Sequence, residues 1–210
     1  GHRGSWDLAF CAGSVVATLA QCITLGALLQ GIKVEGRSYA GGWWDWLTPF
    51  SLLTGASLLV GYALLGAGWL IWKTDGPGQA HARRLARALT IALIAAILLV
   101  SAATPFLEGS YYERWFGWPG VLAAAQMPVL VAIAAWVLWR SIDGRRDWLP
   151  FLATLVLFGL SMMGLAISMW PDVIPGRISI WDAAAPARSQ AFMLIGASIL
   201  VPIILAYTVW

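Results

Sequence analysis

Two histidines, five methionines, two cysteines and ten carboxylates are the side chains from which this 210-residue chain would have to build metal or proton chemistry. A haem iron needs a His, Met, Cys or Tyr facing it from inside a helical bundle. His2 stands at the N-terminal end and His81 in the segment KTDGPGQAHARR, both outside the long apolar runs. Met127, Met162, Met163, Met169 and Met193 fall at apolar runs, but with no histidine on a facing run they read as packing residues. Cys11 and Cys22 would be about 16 Å apart along a helix, too far for a disulfide, and neither has a histidine nearby to complete a metal site. Asp7, Glu35, Asp45, Asp75, Glu108, Glu113, Asp143, Asp147, Asp172 and Asp182 all lie in loops or at run edges. A proton relay needs ionisable groups at depth. What remains inside is Gln21, Thr24, Ser57, Ser101, Gln126 and Ser161, which serve as interhelical hydrogen-bond partners or line a path. No catalytic, cofactor-binding or metal residue is expected in this chain.

Trp181 and Asp182 are different. They sit in PGRISIWDAAAPARSQAF, between Pro175 and Pro186, directly before an apolar run. A tryptophan beside a carboxylate at a bilayer surface sinks into neither water nor lipid, so the loop reads as a contact element and the pair as subunit-interface residues. Asp182 would accept from backbone amides of its own turn, as an Asx motif before Ala183 to Ala185, or from an arginine across the interface. The alternative is a loop packed on itself.

The elements that position these residues follow from composition. The chain is 60% hydrophobic and 11% charged, with a mean hydropathy of +0.77, against about 25% charged residues in soluble domains. It is an integral membrane protein. Its apolar runs are continuous rather than alternating, which selects helices over barrel strands. Six runs approach the roughly 20 residues that cross a bilayer: about Leu8 to Leu29, Leu47 to Trp72, Ala86 to Leu107, Pro119 to Trp139, Leu149 to Trp170 and Gln190 to Trp210. The expected fold is an all-α polytopic bundle occupying residues 1–210 as a single domain. Of fourteen tryptophans, all but Trp181 fall near the ends of these runs, where indole prefers the interface.

Arg3, Lys73, Arg83, Arg84, Arg87, Arg140, Arg145 and Arg146 lie on one side of the bundle; Lys33, Arg37, Arg114, Arg177 and Arg188 lie on the other. The positive-inside rule puts the first group, and both chain ends, in the cytoplasm. The net charge of +3 is spread over loop anchors, so no nucleic-acid partner is implied. Ser57, Gly61 and Gly68 make a small-residue stripe for close helix approach, while Pro128 and Pro202 interrupt two helices and should bend them.

Four stretches carry a resemblance. IWDAAAP at 180–186 and VPIILAYTVW at 201–210 resemble the last loop and helix of subunit II of the cytochrome bd-type quinol oxidases, a family that includes a cyanide-insensitive branch. WWDWLTPFSLL at 43–53 and GYALLGAGWLIWKTDG at 61–76 are similar to a periplasmic loop, helix and cytoplasmic turn of the same subunit. WD at 6 and 7, GS at 13 and 14 and GALLQG at 26–31 add a weaker match. The resemblance implies a heterodimer in the bacterial inner membrane. Its subunit I carries haem b, haem d and the quinol site, and its subunit II supports them as the complex converts quinol oxidation and oxygen reduction into proton motive force. It also implies further N-terminal helices in the family's subunit II, so this chain, which opens without Met and ends without a polar tail, is expected to be its middle and C-terminal part. WWDWLTPF then has two readings: Asp45 or Thr48 caps the second helix with Pro49 in its first turn, or the tryptophans line a lipid or quinone headgroup site. A transporter or non-catalytic scaffold is the competing class; it would show discontinuous helices or an ionisable site at the midplane.

Overall fold

The computed structural model describes residues 3–36, 38–107, 109–118 and 120–209. His2, Arg37, Glu108, Pro119 and Trp210 lie outside the described residues, as do the side chains of Arg3 and Arg114.

In chain order the elements are α1 (Arg3–Leu29), a hairpin of β1 (Val34–Glu35) and β2 (Ser38–Tyr39), α2 (Pro49–Lys73), α3 (Gly76–Ala103) ending in a 3-10 turn (Thr104–Phe106), α4 (Gly109–Phe116), α5 (Gly120–Ser141), α6 (Leu149–Met169), a hairpin of β3 (Asp172–Ile174) and β4 (Ile178–Ser179), α7 (Ile180–Ala183) and α8 (Ala187–Val209). Six of the helices, α1, α2, α3, α5, α6 and α8, are long and apolar enough to span a bilayer. These are the six expected runs.

α2 begins where its sequence demands. Thr48 Oγ1 accepts from the Ser51 amide at 3.1 Å and Ser51 Oγ accepts from the Thr48 amide at 2.9 Å, with Pro49 in the first turn. Thr48 is thus the cap, and Asp45 instead pairs with Lys33 at 3.3 Å.

α3 departs from expectation by starting ten residues early. Gly76 takes φ +65°, Pro77 occupies the first turn, and the Gln79 side chain donates to the last-turn carbonyl of Ile71 at 2.9 Å. The GPG sequence that reads as a turn is a helix start, so His81, Arg83 and Arg87 ride one continuous helix.

The core lies where α2, α3, α5 and α6 meet, around the fully buried Leu64, Ile71, Leu138, Ile142 and Leu157. The expected small-residue stripe sets the α2–α6 distance: a Cβ on Gly61 would stand 2.8 Å from a Phe158 ring carbon, and one on Gly68 3.0 Å from the Phe151 Cα. Gly26 does the same for α1 and α2, its Cβ position falling 2.6 Å from the Ser51 Cα. α8 buries none of its span, and Phe192, Leu194, Ile199 and Ile203 all point outward. Pro128 and Pro202 sit inside α5 and α8, which run unbroken through them.

Candidate functional site

The β3–β4 hairpin presents Trp181 and Asp182. Gly176 turns it at φ +65°, and the Gly176 amide donates to Asp172 Oδ2 at 3.1 Å. The Ile180 amide donates to the Pro171 carbonyl at 2.9 Å, which returns the chain to the end of α6. There Ser179 caps the single turn of α7: its Oγ accepts from the Asp182 amide at 3.2 Å, and its hydroxyl donates to Asp182 Oδ2 at 2.5 Å. One oxygen of the Asp182 carboxylate therefore accepts from Ser179, and among the described residues neither bonds the amides of Ala183 to Ala185. Trp181 leans on Trp170 at the end of α6, ring centroids 5.7 Å apart and planes at 74°, yet remains 65% exposed. Asp182 thus contacts its own turn, while the Trp181 indole is open on one side.

Between the helices is a cavity of about 440 Å3, bounded by α1, α2, α3, α4, α5 and α6. Among the described residues, the lining hydroxyls of Thr54, Ser57, Thr104, Ser161 and Ser168 are turned back on the protein, and that of Ser101 is not. Thr54 donates to the Ser51 carbonyl at 2.8 Å, Ser57 to Leu53 at 2.6 Å and Ser161 to Leu157 at 2.9 Å. Ser168 donates to Gly164 at 2.9 Å and accepts from Trp115 Nε1 at 2.9 Å. Met127 and Met162 reach this cavity, but no histidine among the described residues does. Met163 and Met193 face outward, and His81 lies in the second turn of α3, outside the apolar stretch. Among the described residues no three His, Cys, Asp or Glu side chains gather as metal ligands. Among the described residues, those that line the cavity bring no histidine to a haem iron.

Where α3 meets the α5–α6 turn, two charge pairs tie the helices together, and the sequence reading did not find them. Arg83 pairs with Asp147 and donates to the Ile142 carbonyl, and Arg87 pairs with Asp143. The available signal was that Arg83 and Arg87 are four apart, as are Asp143 and Asp147. On the opposite side the Gly42 amide, and after it Lys33, hold the Asp45 carboxyl below its ordinary range. The tryptophans of that loop lie open, Trp43 at 93% exposure, with Trp46 Nε1 donating to the Trp43 carbonyl at 2.7 Å.

Comparison with known proteins places this architecture. The family model described as cytochrome bd terminal oxidase subunit II matches residues 1–210. The probable cytochrome oxidase subunit 2 of Haemophilus influenzae is 26% identical over 242 residues, covering 99% of this chain and 64% of that protein. The cytochrome bd-I ubiquinol oxidase subunit 2 of Escherichia coli K12 is 27% identical over 245 residues, with the same coverages. The chain thus spans about two thirds, 64%, of the length of these curated relatives. With the match running the whole length of an all-α, six-span chain, the protein belongs to the cytochrome bd terminal oxidase subunit II family.

Proposed function

We propose that this chain works as subunit II of a bd-type quinol:oxygen oxidoreductase in the bacterial inner membrane. In this reading it supports a subunit I that carries haem b, haem d and the quinol site. The complex couples quinol oxidation and oxygen reduction to proton motive force, and this chain is a non-catalytic part of the enzyme. The observation that carries the reading is the family match along residues 1–210. An apolar interior in which most of the lining hydroxyls bond backbone carbonyls supports assigning the haems to the partner. Trp181 and Asp182 are proposed as interface residues. The exposure of Trp181, on a turn braced by Ser179 and Trp170, supports this.

Both chain ends, with the Arg83–Asp147 side of the bundle, are proposed to face the cytoplasm, in line with the excess of arginine there. The deciding experiment is purification of the full-length protein with and without its partner. A haem-bearing subunit should co-purify, and the chain expressed alone should show no Soret band. A stoichiometric haem spectrum from the lone chain, with Met127 or Met162 as axial ligand, overturns the division of labour.

A further inference from the structure

At the end of α5 three exposed arginines border one shallow, mainly apolar recess, and among the described residues no carboxylate is left for them. Arg140, Arg145 and Arg146 line a space of about 350 Å3 together with Trp136, Gly144 and Leu149. Both carboxylates of the same turn are already engaged, Asp143 by Arg87 and Asp147 by Arg83. Among the described residues none of the three cleft arginines forms an ion pair. The Arg140 guanidinium lies 5.9 Å from the centroid of the Trp136 ring.

The cleft has a membrane side. Below Arg140, an exposed apolar stripe of Trp136, Ile133 and Val129 runs down α5 at helical spacing. Trp139 and Trp148 flank the turn where the bilayer edge falls. A guanidinium presents a planar fork of donors that matches phosphate oxygens, and basic recesses between helices at a membrane rim are suited to lipid headgroups. A soluble anion would have use for the arginines but none for the stripe.

We propose that the three arginines bordering this recess bind the phosphate of an anionic phospholipid, with an acyl chain lying along the Trp136–Ile133–Val129 face of α5. The site is independent of the redox reading, since it needs only the bundle and its bilayer.

The test uses the protein purified from membranes in its native assembly and placed in phosphatidylcholine nanodiscs containing a minor fraction of phosphatidylglycerol. Retained lipid is counted by native mass spectrometry. Wild type should hold phosphatidylglycerol over phosphatidylcholine by about tenfold or more. The variant Arg140→Gln/Arg145→Gln/Arg146→Gln should lose that preference, and inorganic phosphate in large excess should leave the wild-type lipid in place. Equal retention of the two lipids by wild type overturns the proposal, as does a triple variant with wild-type preference. Displacement by inorganic phosphate also overturns it, by making the cleft a soluble-anion site. Should the triple variant fail to assemble, the wild-type lipid comparison and the single variant Arg145→Gln still decide.

Discussion

The indole of Trp181 meets that of Trp170 edge to face at 5.7 Å, although eleven residues separate them. The β3–β4 hairpin and the Ser179 cap make the contact, and they leave 65% of Trp181 uncovered. Large aromatics held rigid on short turns contribute to association by filling a partner's recess. Trp181→Ala should therefore weaken recovery of the proposed haem-bearing partner, by at least about tenfold for a central anchor. Turnover per intact complex should remain near normal. Asp182→Asn keeps the shape but weakens the Ser179 contact, so it should give a smaller loss of the same kind. Normal assembly with lost turnover removes the interface assignment.

Close approach of α2 and α6 yields a graded prediction. A methyl on Gly68 meets backbone, the Phe151 Cα at 3.0 Å and its amide nitrogen at 3.2 Å, which cannot move without displacing α6. A methyl on Gly61 meets only the Phe158 ring, and that ring is stacked on Tyr62 at 5.5 Å. Gly66 has nothing within 4 Å of its would-be Cβ. Gly68→Ala should cost about 1–3 kcal/mol, with Gly61→Ala below it and Gly66→Ala neutral or slightly stabilising. Unfolding midpoints in a graded detergent series give the order, and equal costs at Gly66 and Gly68 contradict it.

Part of this was legible beforehand, for physical reasons that differ by residue. Thr48 and Pro49 start α2 side by side, so their pattern is local and readable, although by sequence Asp45 is an equal candidate for the cap and Ser51 gives no sign of its part. Gly61 and Gly68 lie on one face by spacing alone, and their close approach followed. Gly76 and Pro77 carry a signal with two meanings, since a glycine at φ +65° before proline both breaks one helix and starts the next. The Trp170 partner of Trp181 and the arginine pairs of α3 are tertiary facts. No local pattern announces them, apart from the matched spacing of four in Arg83, Arg87, Asp143 and Asp147.

The Asp45 turn gives a prediction in pH. The Gly42 amide, and then Lys33, hold the folded carboxyl below the ordinary value of 3.8. A depressed carboxylate contributes stability that is complete above the unfolded pKa and lost as pH falls through the folded one. Hydrogen exchange across residues 41–47, corrected for intrinsic rates, should thus be flat down to about pH 4 and accelerate only below it. Asp45→Asn should exchange fast throughout. Lys33→Met should keep most of the protection, because the amide is the larger cause; full loss in that variant would reverse the ranking.

Arg83 is the better-sheltered partner of the α3 charge pairs, its side chain 20% exposed against 41% for Asp147, and it also serves the Ile142 carbonyl. The two roles separate in a double-mutant cycle. Asp147→Asn removes one charge from a half-exposed pair and should cost up to about 1 kcal/mol, reduced by salt. Arg83→Met strips the donor from Ile142 as well and leaves Asp147 unpaired, so about 1–3 kcal/mol is expected. The double variant should then cost less than the sum, with a coupling of roughly 0.5–1 kcal/mol. Strict additivity would mean that Arg83 holds the α5–α6 turn through the carbonyl alone, with Asp147 a bystander.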